Sequence, residues 1–271
     1  MKKQIVGIVP VSGLKSDFNM PWHESLMPIG PNYLAVQRAV AECAYAGCNT
    51  IWIVCNDDVT PLIRYQLGEK IQDPVYNYRH FERNKNDVKR PIRIYYVPIA
   101  IRDINKRDNV AWSAIHGCKI ADKILGAMSN FTRPDKFYIS WPYGYNAPWL
   151  LREHRKTITE GDFTLTYNDE NVQDNLYLGF TLTMDQVSQL ISEVNEKSTG
   201  LWKDPETRKE KYSLEERFSY RNFNLKQVFD TIDFSDYKKA EVEGYYPIDC
   251  WESYCNFLSE NDSIRKPSVL I

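Results

Sequence analysis

Gln4-Ile5-Val6-Gly7-Ile8-Val9-Pro10-Val11-Ser12-Gly13-Leu14-Lys15 opens the chain with an apolar run that ends in a polar, glycine-containing loop. Pro28-Ile29 and an amphipathic segment from Asn32 to Ala46 follow, with Val36, Ala39, Val40, Cys43 and Ala44 on one face at helical spacing. Gly47 then acts as a stop signal before a second apolar run, Thr50-Ile51-Trp52-Ile53-Val54-Cys55. Two fully apolar strands flanking one helix predict a parallel pair joined by a right-handed crossover. Sheets of this kind bind ligands outside the carboxyl ends of their strands, which singles out the loop from Val11 to Lys15.

Outward from that unit, Thr60 to Ile71 reads as a helix with Thr60 as N-cap and Pro61 at its first position. Ile92 to Val97 reads as a strand. Asn109 to Met128 reads as a helix capped by Asn109, with Val110, Ala114, Cys118, Ala121 and Leu125 buried. Lys136 to Ser140 is a further strand, and the aromatic loop Trp141-Pro142-Tyr143-Gly144-Tyr145 follows it. Later strands are expected at Phe163 to Tyr167, Leu176 to Leu182 and Lys239 to Tyr246, with helices at Met184 to Val194, Asn224 to Phe229 and Trp251 to Asn261. The alternation predicts an α/β, doubly wound sheet. No repeat or linker interrupts it, so one continuous domain over residues 1–271 is expected. Asp73 to Arg90 is basic and aromatic. It reads as a solvated insertion, with a lid that meets phosphates as the alternative.

The 271 residues carry 34 Lys plus Arg against 36 Asp plus Glu, a net charge of -2 that predicts neither a nucleic-acid nor a membrane surface. The start passes directly into a strand and no apolar run is long enough to span a bilayer, so a cytoplasmic location is expected. The six cysteines lack the spacing of a zinc knuckle or a redox motif and read as small hydrophobes in a reduced compartment. The four histidines are scattered, which argues against a metal site built on them. The aromatic loops are equally suited to stacking bases or sugars and to meeting a protein partner.

Several of these segments, in this order, resemble the sugar-phosphate nucleotidyltransferases, such as the glucose-1-phosphate thymidylyltransferases. Pro10-Val11-Ser12-Gly13-Leu14-Lys15 is similar to the family's glycine-rich loop ending in Gly-x-Arg, and Leu26-Met27-Pro28-Ile29 to the end of its Pro-Lys-x-Leu-x-Pro-Ile. Ala46-Gly47-Cys48-Asn49-Thr50-Ile51-Trp52-Ile53-Val54 resembles Ala-Gly-x-x-x-Ile-x-Ile-Val. Asp108-Asn109-Val110-Ala111 stands at the base pocket, Tyr177-Leu178-Gly179-Phe180 at the sugar pocket, and Glu243 to Tyr254 resembles the family's Glu-Gly-x-Trp-x-Asp-x-Gly-Thr-Pro-Glu-Ser-Tyr.

The resemblance implies a Rossmann-like, GT-A-like three-layer sandwich with a mostly parallel mixed sheet. Residues from 1 to about 150 would bind the nucleotide, and those from about 151 to 271 would form the sugar pocket. It implies Lys15 as the catalytic cation, and Ser12, Gly13, Lys15, Asp108, Asn109 and Tyr143 as nucleotide contacts. It also implies Gly179 at the sugar and Asp249 as the available ligand for Mg²⁺, the cofactor of an active enzyme.

The chemistry departs from that pattern. Phosphoryl transfer needs backbone N–H groups around phosphate, a cation and carboxylate-held Mg²⁺. Pro10 and Val11 replace two loop glycines, Glu24 reverses the charge of the sugar-phosphate lysine, and Pro142 and Pro247 stand at both metal-holding Asp positions. Three readings stay open. One is a nucleotide or nucleotide-sugar binder with lost or altered activity. Another is an active sugar-1-phosphate nucleotidyltransferase, or a related glycosyltransferase, with substituted metal ligands. The third is a non-catalytic structural or partner-binding protein on the same scaffold.

Overall fold

The computed structural model describes residues 3–13, 22–77, 91–104, 107, 109–198, 223–261 and 264–267. Eight strands form one sheet: β1 (Ile5–Pro10), β2 (Thr50–Val54), β3 (Lys70–Ile71), β4 (Ile92–Val97), β5 (Lys136–Ile139), β6 (Phe163–Thr166), β7 (Phe180–Leu182) and β8 (Lys238–Glu241). Their spatial order is β8-β6-β7-β5-β1-β2-β4-β3. β1 lies at the centre, parallel to β2 on one side and to β5 on the other, in a register that sets Ile8 beside Trp52 and Ile139. β2 and β4 are parallel, as are β6 and β8. β7 runs antiparallel to β5 and β6, and β3 antiparallel to β4. The sheet is therefore mixed and mostly parallel, as expected.

Helices cover both faces, which is why the central strands read as continuous apolar runs. On one face lie α1 (Ala35–Ala46), α2 (Thr60–Leu67) and α4 (Leu151–Glu160), together with α7 (Trp251–Glu260). On the other lie α3 (Val110–Met128), α5 (Met184–Ser198) and α6 (Leu225–Phe229). The second face packs aromatic residues densely. Phe180 meets Phe229 at 5.1 Å and Phe234 at 5.7 Å between ring centroids. Among the described residues no helix is long and apolar enough to cross a membrane.

Several expectations are corrected. Thr60 is not a cap: Val59 is the N-cap, and Thr60 is already helical, its hydroxyl donating back to the Asn56 carbonyl at 2.8 Å. That helix ends at Leu67, because Lys70 and Ile71 turn back to pair with Arg93 and Ile92. The strand expected over Leu176 to Leu182 shortens to Phe180–Leu182. The one expected over Lys239 to Tyr246 divides into β8 and a short pairing of Tyr246–Pro247 with Gly144–Tyr145. Leu151–Glu160 is a helix that the apolar pattern does not announce, since Leu151 and Ile158 are its only buried residues. Cys43, Cys48, Cys55 and Cys118 are buried and free, as small core hydrophobes should be.

The largest difference concerns α1. One apolar face was expected, yet all twelve residues are buried. The sheet covers one side, and α4 with the turn Pro148–Leu150 covers another. Arg38 and Glu42 are enclosed with the rest, at 0% and 1% exposure.

Candidate functional site

Two walls meet at the carboxyl ends of β1 and β5. The first is the loop that leaves β1. The Val11 and Ser12 amides both donate to the Val54 carbonyl, at 2.8 and 3.0 Å, which bends the chain off the sheet across the end of β2. Gly13 then adopts φ +91°, and a Cβ there would overlap the Asn109 backbone. Only glycine supplies both the positive φ and the close approach. The loop is thus docked on the N-terminus of α3.

Asn109 caps that helix as expected, its Oδ1 accepting from the Ala111 amide at 2.8 Å, while its amide nitrogen donates to the Phe223 carbonyl. The Ser113 hydroxyl donates to the Ser12 carbonyl at 2.8 Å and ties loop to helix a second time. The Ser12 hydroxyl is buried and has no hydrogen-bond partner among the described residues.

The second wall is built from residues 141–146, 176–179 and 244–249. Gly144 pairs with Pro247, and the Ile248 amide donates to the Tyr143 carbonyl at 2.7 Å. Pro142 and Pro247, far apart in sequence, therefore stand on neighbouring segments. The Tyr143 hydroxyl reaches across to the Val11 carbonyl and joins the two walls. Trp141 donates from its indole nitrogen to the Leu178 carbonyl at 3.0 Å. The Tyr245 hydroxyl accepts from the Tyr177 amide at 2.9 Å, and the Tyr143 and Tyr177 rings meet edge to face at 5.6 Å.

Of the residues singled out by sequence, Ser12, Gly13, Asn109 and Tyr143 are brought together where the walls meet. Ser12 and Tyr143 are fully enclosed, and their contacts are internal ones. Lys15 and Asp108 lie outside the described residues, as does most of the basic-aromatic segment. Gly179 is buried, and a Cβ there would overlap the Tyr138 hydroxyl and Glu42 Oε1, so its lack of a side chain makes room for buried polar groups behind the wall. The aromatic loop, read as suited either to a base or sugar or to a protein partner, turns inward, with Trp141 and Tyr143 at 0% exposure. Its backbone is drawn toward α1, and its rings fill the space between β7 and the β1 loop.

Asp249 is half-buried close to Tyr177 and Tyr245. Loss of hydration raises its carboxyl above the usual carboxylate range, and it raises the nearby phenols too. Mg²⁺ is the cofactor that the resemblance implies, and the described residues form no closed protein cage for it. Mg²⁺ is usually held by one or two carboxylates, with substrate phosphates and waters completing its shell. Asp249 offers one carboxylate, Pro142 and Pro247 offer no side-chain donor, and among the described residues no three His, Cys, Asp or Glu side chains converge to hold a metal.

Two functional candidates escaped the sequence reading. Arg107 precedes the N-terminus of α3, held 3.6 Å from buried Asp103 and stacked on Trp112 at 5.0 Å from the ring centroid. Arg38 is the other, and it lies directly behind the second wall. Its Nη1 donates to Glu42 Oε2 and to Asn146 Oδ1, both at 2.5 Å, and its Nη2 donates to the Trp141 carbonyl. Glu42 in turn accepts from the Tyr138 hydroxyl at 2.9 Å. The available signal was the run of small residues around α1 (Ala35, Ala39, Ala41, Ala44 and Ala46), which marks a helix buried on every side.

No family model and no curated protein matches the chain by sequence. Solved structures do match it along nearly its whole length. The UTP-bound UGPase of Acinetobacter baumannii shares 10% identity with a TM-score of 0.56, over 99% of this chain and 96% of that one. A UDP-glucose pyrophosphorylase complexed with UDP-glucose shares 11% identity at a TM-score of 0.54, over 95% and 98%. A Bacillus anthracis protein assigned as a glucose-1-phosphate thymidylyltransferase, in complex with a sucrose, shares 10% at 0.55, over 97% and 98%. At this level of identity the likeness is one of architecture, and the chain has the α/β fold of the sugar-phosphate nucleotidyltransferases.

Proposed function

We propose that the chain binds a nucleotide or nucleotide sugar between the two walls, in a nucleotidyltransferase site whose metal-dependent transfer chemistry is lost or altered. The observation that carries this reading is the loop after β1. Gly13 seats it on the N-terminus of a 19-residue helix, and the Ser12 hydroxyl beside it has no hydrogen-bond partner among the described residues. A helix N-terminus favours anions, so the first wall suits phosphate oxygens. Lys15, two residues beyond Gly13, is the candidate cation, with Arg107 a second.

The second wall supports binding without transfer. Two prolines occupy the positions where the resemblance implies metal-holding carboxylates, and tyrosine rings line the rest. Such a wall suits a sugar or base better than a metal-bound triphosphate.

Isothermal titration calorimetry with UDP-glucose and with UTP, the ligands of the structural neighbours, tests the reading. Binding of at least one ligand in EDTA supports it. Absence of binding by either ligand in both EDTA and Mg²⁺ rejects it. That silence favours the second reading, a partner-binding scaffold, to which the full enclosure of Ser12 and Tyr143 already lends weight. Pyrophosphate release from UTP and glucose 1-phosphate favours an active enzyme with substituted ligands.

A further inference from the structure

We infer that Arg38, buried within α1, is a positioning residue for the proposed site, fixing the 141–146 loop so that Tyr143 closes against the β1 loop. This inference rests on the reading of the two walls as a ligand site.

Arg38 binds the loop at both ends, at the Trp141 carbonyl and at Asn146 Oδ1. Between these two attachments lie Tyr143, which accepts from the Ile248 amide and reaches Val11, and Gly144, which pairs with Pro247. Glu42 completes the node. Its Oε2 receives Arg38 and its Oε1 receives Tyr138, whose hydroxyl lies against Gly179. The same node therefore abuts the 176–179 segment, which is also tied to the loop through Trp141 and Leu178. One guanidinium thereby organises the second wall from behind.

A role in stability alone explains this poorly. Two apolar side chains of similar volume commonly serve a core as well as a buried ion pair, or better. The network is also incompletely satisfied: Arg38 Nε and Asn146 Nδ2 are buried without hydrogen-bond partners among the described residues. What an apolar pair lacks is a grip on a backbone carbonyl and an amide oxygen at opposite ends of a loop. The planar fork of arginine supplies that grip, and lysine, a point charge, does not.

The test uses the full chain carrying Arg38→Met with Glu42→Leu, and separately Arg38→Lys. Thermal unfolding, amide hydrogen exchange and calorimetric affinity for UDP-glucose and UTP are each compared with the wild type. The double variant is expected to keep its melting temperature within a few degrees. Exchange in residues 141–146 and at the Ile248 amide should accelerate at least about tenfold while α3 is unchanged, and affinity should fall about tenfold or more. Arg38→Lys should show the same two changes, and it carries the test if the double variant does not fold.

Unchanged loop exchange in a folded variant overturns the inference, and so does faster exchange with unchanged affinity. A wild type that binds neither ligand sinks the reading of the site before any substitution is made. The exchange comparison then still decides whether Arg38 holds the loop.

Discussion

The two walls of the site are made differently. The first is made of backbone: a glycine at positive φ, a capped helix N-terminus and carbonyl oxygens that hold the loop after β1 in place. The second is made of side chains, tyrosine and tryptophan rings hung on a buried guanidinium, with prolines where the resemblance implies carboxylates. A backbone wall tolerates wide sequence change as long as its glycine and its cap remain. A side-chain wall changes its chemistry with each substitution. On the proposed reading, the first wall faces phosphate and the second presents rings to the sugar or base.

Substitutions that separate the two walls sharpen this contrast. The largest effect is expected from Arg38→Ala, which leaves Glu42 buried without its cation. Urea unfolding followed by circular dichroism should show a loss of roughly 3–5 kcal/mol, and a loss below about 1 kcal/mol would mean that water reaches the node. Gly13→Ala attacks the first wall. Its φ of +91° and the overlap with Asn109 should cost roughly 1–3 kcal/mol, accompanied by loss of UDP-glucose binding. Binding at wild-type strength in that variant would remove the first wall from the site.

Asn109→Ala should cost about 1 kcal/mol through the lost cap, and Asn109→Asp should recover part of it.

The smallest effect is expected at Asp249, and it has a sign. Its folded-state carboxyl titrates above the ordinary range because it is desolvated. The folded chain therefore holds that proton more tightly than the unfolded chain. Stability declines as pH rises from the ordinary carboxylate range through the raised value, and no penalty exists below that range. Asp249→Asn should raise the neutral-pH melting temperature by about 1–3 °C and leave it unchanged in acid. A decrease at neutral pH would show that the carboxylate has a favourable partner.

The half of the sheet around β1 was legible because parallel strands buried on both faces are written as unbroken apolar runs, as in Ile5 to Val11 and Thr50 to Cys55. The α3 cap was legible for a related reason: asparagine before an apolar periodic run has one common use. The second wall was legible only through the resemblance, which set Pro142 and Pro247 at one site, and the buried support behind it was not legible at all. Arg38 and Glu42 are spaced four apart on a helix, the pattern of a solvent-facing ion pair, and nothing local announces that residues 141–146 and 179 will cover them. Tyr143 read as a loop aromatic open to ligand or partner because its burial depends on Val11 and Tyr177. Contacts between distant segments decided each of these cases, and no window of sequence contains them.

The most direct measurement of whether charge has been traded away from a retained nucleotide edge is the ratio of UDP-glucose dissociation constants without and with Mg²⁺, taken by calorimetry on the wild-type chain. Binding in EDTA with a ratio near one, within about twofold, is expected if the second wall holds its ligand through rings and backbone. Binding that tightens about tenfold or more with Mg²⁺, joined by pyrophosphate release from UTP and glucose 1-phosphate, would contradict it.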